Sequence, residues 1–119
     1  MVTGAIAGAL AVGLGAFGAH ELKDLLAPDR LDVFQTGVRY LSIHAIVLFI
    51  NGWYAHGRSD KMLSVAGFLF LLGMFLFSGS LIVLAISNIR FLGAVAPFGG
   101  LSFIAGWLFF GWGAWSTTR

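Results

Sequence analysis

The side chains of this chain with chemistry to offer are few: His20, Arg39, Tyr40, His44, Asn51, Ser78 and Ser80. They stand in or at the edge of long apolar stretches, where a polar group is expensive and is a functional candidate by default. Gly37, His44 and Asn51 recur at seven-residue intervals, with Tyr40 four residues before His44. On a helix these positions share one face, which should look into the protein. Arg39 falls on a neighbouring face near the edge of its apolar stretch, and His20 closes the stretch before it. Two histidines on different helices could ligate haem iron or another metal, or carry a proton near neutral pH. The spacing gives metal or haem no independent support, and no carboxylate lies deep enough to complete a metal site. A structural histidine, bonded across helices to a serine or a backbone carbonyl, is the favoured reading, with no metal and no cofactor expected.

Ser78, in Phe77-Ser78-Gly79-Ser80, has the look of a nucleophile. The stretches around it hold no aspartate or glutamate from which to build a triad. Serine in a membrane helix usually bonds its own i−4 carbonyl or a neighbouring helix. A proton-coupled exchanger would need an embedded acid. Glu21 is the candidate, and it lies beyond the end of its apolar stretch beside Lys23. No catalytic residue is expected, and the protein is read as not an enzyme.

The elements that must position these residues follow from where charge is absent. Val2–Ala19, Leu41–Ala55, Met62–Ile89 and Phe91–Thr118 carry no Lys, Arg, Asp or Glu. About 18 or more apolar residues suffice to cross a bilayer core of roughly 30 Å as a helix. The chain has 119 residues, 59% hydrophobic and 10% charged, against about 25% charged for soluble domains. It reads as an all-α membrane protein, an antiparallel bundle of four transmembrane helices in a single domain, with helices at about 2–19, 28–55, 62–87 and 93–116. The net charge of +2 is too small and too scattered for nucleic-acid binding. With no cysteine, disulfides and thiolate metal sites are excluded. The first stretch lacks the basic n-region of a signal peptide, so it is expected to be retained as a helix.

Pro28 suits a first helical turn, and Asp29 and Asp32 there complement the helix dipole. His20–Ala27 should be a short interfacial helix or turn. Pro97, with Gly99 and Gly100, predicts a break or kink in the fourth helix. Trp53, Tyr54, Trp112 and Trp115 gather at helix ends as an aromatic belt. Basic residues balance across the membrane: Arg58, Lys61 and Arg119 on the side of the termini, against Lys23, Arg30, Arg90 and Arg39. The charges from Glu21 to Arg39 read as a solvated segment or a docking surface for a partner.

Small residues should bring helices together, because lipid supplies little hydrophobic force between them. Ala7, Ala11, Gly15 and Ala19 recur every four residues, and Gly4 and Gly8 form a GxxxG pair. Ala66, Gly73, Ser80 and Ser87 stand at strict seven-residue spacing, the stripe of a left-handed bundle. Phe68, Phe70, Phe75 and Phe77 are expected on other faces of that helix.

Several segments together resemble one known family. They are Gly15-Ala16-Phe17-Gly18-Ala19-His20, Phe34-Gln35-Thr36-Gly37-Val38-Arg39-Tyr40 followed by His44-Ala45, Phe77-Ser78-Gly79-Ser80-Leu81, and Pro97-Phe98-Gly99-Gly100-Leu101 with Gly106-Trp107. In this order they resemble the small membrane proteins called domain of unknown function 423, whose eukaryotic relatives are called transmembrane protein 256. The resemblance implies four membrane spans and carries no established activity, substrate or cofactor. It implies that His20, Tyr40, His44, Ser78, Pro97 and Gly100 match the family's recurring polar or special positions. Leu41 departs from it, where a glutamine-like residue follows the tyrosine.

The expected role is a non-enzymatic structural or accessory subunit of a membrane complex. The expected partners are the lipid bilayer and other membrane subunits or further copies of the chain. The alternatives are a small oligomeric transporter or channel using the intramembrane His, Tyr and Ser groups, and a haem or lipid-cofactor binder. The expected location is a bacterial inner membrane or a mitochondrial-type membrane.

Overall fold

The computed structural model describes residues 1–118, so Arg119 of the charge count lies outside the described residues. Helix α1 is Val2–His20. A single 3₁₀ turn, Leu22–Asp24, follows at the predicted interfacial segment. Helix α2 is Pro28–Ala55, α3 is Lys61–Ser87 and α4 is Leu92–Thr118. All four are long and apolar enough to cross a membrane.

The turns have local causes. Pro28 occupies the first turn of α2, where its missing N–H is no loss. Asp60 caps α3, its Oδ1 accepting from the backbone of Met62 at 2.8 Å and of Leu63 at 3.2 Å, which satisfies two otherwise orphaned donors. Asn88 ends α3 in the left-handed conformation, φ 58°, which Asn tolerates better than most residues. The three connections are short, so successive helices run antiparallel.

The helices lie in a bent row, not a closed square. α1 packs chiefly on α2, α2 on α3, and α3 on α4, giving a body 51 × 26 × 16 Å. One core joins Ala7 and Ala11 to Leu41, Ala45, Leu48, Phe70, Met74 and Phe103. A second, around Phe34, Val38, Leu22 and Ala85, sits near the connection between α1 and α2.

The face of α1 differs from the expected ridge. Gly4, Ala7, Ala11 and Gly18 are buried, while Gly8 and Gly15 are half-buried and Ala19 is exposed. A strict four-residue repeat overshoots a full turn by about 40° per step, so it winds off the contact face. The irregular spacing that includes Gly18 stays on it. A Cβ at Gly4 would stand 2.6 Å from the Phe49 nitrogen, and one at Gly18 would strike the Phe34 ring.

Helix α3 contains a π turn, Met74–Gly79, which the seven-residue stripe did not foresee. A π turn accommodates one extra residue. Before it the buried positions are Leu63, Ala66, Phe70 and Gly73; within it they are Met74 and Ser78, and after it Ser80 and Ala85. The register has advanced by one residue. Ala66, Gly73 and Ser80 are buried as expected, but Ser87 is exposed, its Oγ donating to the Val83 carbonyl of its own helix at 2.6 Å and accepting from the Ile89 N–H at 3.3 Å. Phe70, expected on another face, lies fully in the core at 0% exposure. Phe68 and Phe75 do face outward.

Pro97 causes no break: α4 runs through it without interruption. Gly99 has a different role. A Cβ there would stand 2.6 Å from the Leu76 carbonyl carbon and 2.7 Å from the Phe77 Cα. The backbone of α4 lies directly against the π turn.

Candidate functional site

Helix α2 carries Gly37, His44 and Asn51 into the interior, as their spacing predicts. His44 is 4% exposed. Its Nδ1 lies 2.8 Å from the Tyr40 carbonyl oxygen one turn earlier, and its Nε2 lies 3.1 Å from Trp107 Nε1 on α4. An indole N–H only donates, so Nε2 must be the accepting nitrogen. Nδ1 then holds the proton and donates it to the Tyr40 carbonyl. The imidazole stacks on Phe103 with centroids 3.6 Å apart, and Phe70 and Trp107 close around it at 5.9 and 6.1 Å. Both ring nitrogens are hydrogen-bonded inside the protein, Nδ1 to a carbonyl of its own helix and Nε2 across helices to Trp107, where a serine or a backbone carbonyl was expected.

His20 does not join it. It is exposed at the end of α1, and Gly18 packs against Phe34. His20 is therefore level with the start of α2, about 18 Å along the axis from His44 at 1.5 Å per residue. The bis-histidine arrangement is not formed. Among the described residues no group of three or more His, Asp or Glu side chains is placed to hold a metal.

The other candidates scatter along the bundle. Tyr40 is 39% exposed and rests its ring on Phe77, centroids 4.7 Å apart. Asn51 is buried, its Nδ2 donating to the Leu63 carbonyl at 3.0 Å, while its Oδ1 has no partner. Ser78 is buried with an unpartnered Oγ. Ser80 is buried nearby. Arg39 faces outward.

Four interactions had no local signal in the sequence. Ser102 of α4 donates to the Leu69 carbonyl of α3 at 2.7 Å. Arg30, read as part of a solvated segment, reaches from α2 to the end of α3, its Nε and Nη2 donating to the carbonyls of Ala85 at 2.9 Å and Ile86 at 3.0 Å. A cation there satisfies orphan carbonyls and complements the helix dipole. At the opposite end Ser116 donates to Asp60 Oδ2 at 3.2 Å, and the Tyr54 hydroxyl meets Thr117 Oγ1 at 2.6 Å. Beside these, Trp53, Trp112 and Trp115 stay exposed as the expected belt.

Four helices long and apolar enough to cross a bilayer define a multi-pass membrane protein. The chain belongs to the family described as "Protein of unknown function (DUF423)", whose model matches residues 14–100. It is similar to the UPF0382 membrane protein YwdK of Bacillus subtilis, 44% identical over 109 residues, covering 91% of this chain and 89% of that one. Its likeness to the UPF0382 membrane protein SH2409 of Staphylococcus haemolyticus is also 44%, covering 91% and 88%. To the UPF0382 inner membrane protein YgdD of Escherichia coli K12 it is 36% identical, covering 90% and 82%. No solved structure matches the chain.

Proposed function

We propose that the protein is a non-enzymatic accessory or structural subunit of a larger complex in a bacterial inner membrane. The observation that carries this reading is the open flank between α1 and α3. Because α1 leans on α2, a groove of about 320 Å³ is left beside it, lined by Ile6, Leu10 and Leu14 of α1 and Leu71, Phe75 and Val83 of α3. A spanning helix of another subunit would fill that flank, burying the exposed Ile6, Leu10, Phe75 and Val83. The interior supports the same reading. His44, on which a transport path or haem ligation would depend, has both nitrogens occupied.

The test is native mass spectrometry after gentle extraction from the protein's own membrane, with wild type and Phe75→Ala compared. Phe75 is 70% exposed and walls the groove, so its truncation spares the core. The reading expects a stoichiometric complex that Phe75→Ala dissociates while helix content is unchanged. A wild-type protein recovered without a partner subunit overturns it.

A further inference from the structure

The outward stripe of α2 changes character partway along. Asp32, Gln35, Arg39, Ile43, Ile46, Ile50 and Trp53 recur at three- and four-residue steps, and all are exposed. The first three are polar and the rest are apolar. Neither the Arg39 guanidinium nor the Gln35 amide nor the Asp32 carboxylate bonds another described residue.

Arg39 is the last polar residue of this stripe before it turns apolar at Ile43. It stands nine residues, about 13 Å along the helix, beyond Arg30, which grips the end of α3. At the intervening levels α3 and α4 show lipid Val83, Ile86 and Phe98. An unpaired arginine facing hydrocarbon is costly unless an anion or water reaches it. Side chains on a helix lean toward its N-terminus, so Arg39 reaches back toward Gln35.

The adjoining surface is built for an acyl chain. Six to ten residues deeper, a second groove of about 210 Å³ runs between α1 and α2, lined by Gly4, Ala5 and Gly8 and by Ala45, Ile46 and Phe49. Gly8 has no heavy atom within 4 Å of where a Cβ would be. That places the groove about 9–15 Å inward of Arg39, the depth of one leaflet of a bilayer core of roughly 30 Å.

We propose that this face of α2 binds one phospholipid with a zwitterionic, amine-bearing headgroup. Arg39, helped by Gln35, holds the phosphate, since a guanidinium donates to two phosphate oxygens at once. The acyl chain lies in the α1–α2 groove. Asp32, two turns outward on the same stripe, meets the ammonium. The order carboxylate, guanidinium, apolar groove along the helix matches the order amine, phosphate, chain in such a lipid. This face lies on the opposite flank of α1 from the groove assigned to a partner helix, so either proposal can fail without the other.

The test is native mass spectrometry of the full chain from nanodiscs with equal phosphatidylethanolamine and phosphatidylglycerol, under stepwise collisional activation. Wild type should retain one phosphatidylethanolamine in preference to phosphatidylglycerol. Arg39→Leu should lower retention at least about tenfold, the scale of a lost charge-assisted bidentate contact. Asp32→Asn should keep a bound lipid but bring the two headgroups to parity, a change of about threefold to fivefold for one exposed ion pair. Inorganic phosphate should not displace the lipid; displacement would identify a free-anion site and overturn the lipid assignment. Both exchanges are at exposed positions, and unchanged helix content establishes that the fold is intact. Equal retention by wild type and Arg39→Leu overturns the site, as does wild type that retains no lipid. Phosphatidylglycerol bound as well as phosphatidylethanolamine by wild type overturns the role of Asp32.

Discussion

Replacing Gly99 by Ala tests whether α4 lies backbone to backbone on the π turn of α3. The added methyl carbon would stand 2.6 Å from the Leu76 carbonyl carbon and 2.7 Å from the Phe77 Cα, against about 3.5–4.0 Å for an unstrained carbon contact. The obstruction is main chain, with no rotamer to swing aside, so the helices must separate by about 1 Å. The same seam holds Ser102 against the Leu69 carbonyl at 2.7 Å and Gly106 against the Phe70 ring, and separation loosens both. Overpacking of this kind costs about 1–3 kcal/mol, with an immovable neighbour at the upper end. Alanine returns up to about 1 kcal/mol of helix propensity, leaving a net loss of about 2 kcal/mol. Gly13→Ala is the matched control, because nothing lies within 4 Å of a Cβ there. It receives the propensity gain without a clash. The pair should differ by about 2–3 kcal/mol in reversible unfolding in mixed micelles, titrated with a denaturing detergent and followed by tryptophan fluorescence. A Gly99→Ala protein as stable as Gly13→Ala would refute the close contact.

His44→Phe keeps the stack on Phe103 but strands the Trp107 N–H. Each single exchange of His44→Phe and Trp107→Phe should destabilise, and the double-mutant cycle should give a coupling of about 0.6–1.7 kcal/mol; no coupling would remove the bond from the account. Arg30→Gln should cost about 1 kcal/mol, because the clamp on the Ala85 and Ile86 carbonyls is partly exposed and its gain from charge is screened. Hydrogen exchange should then rise selectively at the end of α3, and an unaltered pattern there would count against the clamp.

The helices were legible because charge marks their ends. Pro28 was read as opening α2 and does so, by a rule acting within a few residues. The inward face of α2 was equally plain, since Gly37, His44 and Asn51 keep an even period. What could not be read depended on partners remote in sequence. Nothing near His44 designates Trp107, 63 residues away, and nothing near Arg30 designates carbonyls at the end of α3. The α1 face was misjudged because a repeat of four looks regular on paper yet rotates on a 3.6-residue helix. Ser87 was misplaced because the stripe was projected through Met74–Gly79 as though the pitch were constant. At Pro97 the local rule offered a break or a kink, and the helix is unbroken, as a proline in a membrane helix can be where surrounding groups compensate.

The π turn also has a genetic meaning. A single-codon insertion in a helix usually rotates everything after it by about 100° and would turn Ala85 away from the core. Here the extra residue is absorbed locally, and both halves of α3 keep their own contacts. A relative lacking that codon would close the gap with an ordinary turn, and its alignment with this chain should show a one-residue gap between Gly73 and Ser80. Deleting Leu76 from this protein would recreate that length. Because the turn absorbs the residue locally, the deletion should leave Ala85 and the rest of the later half facing the core.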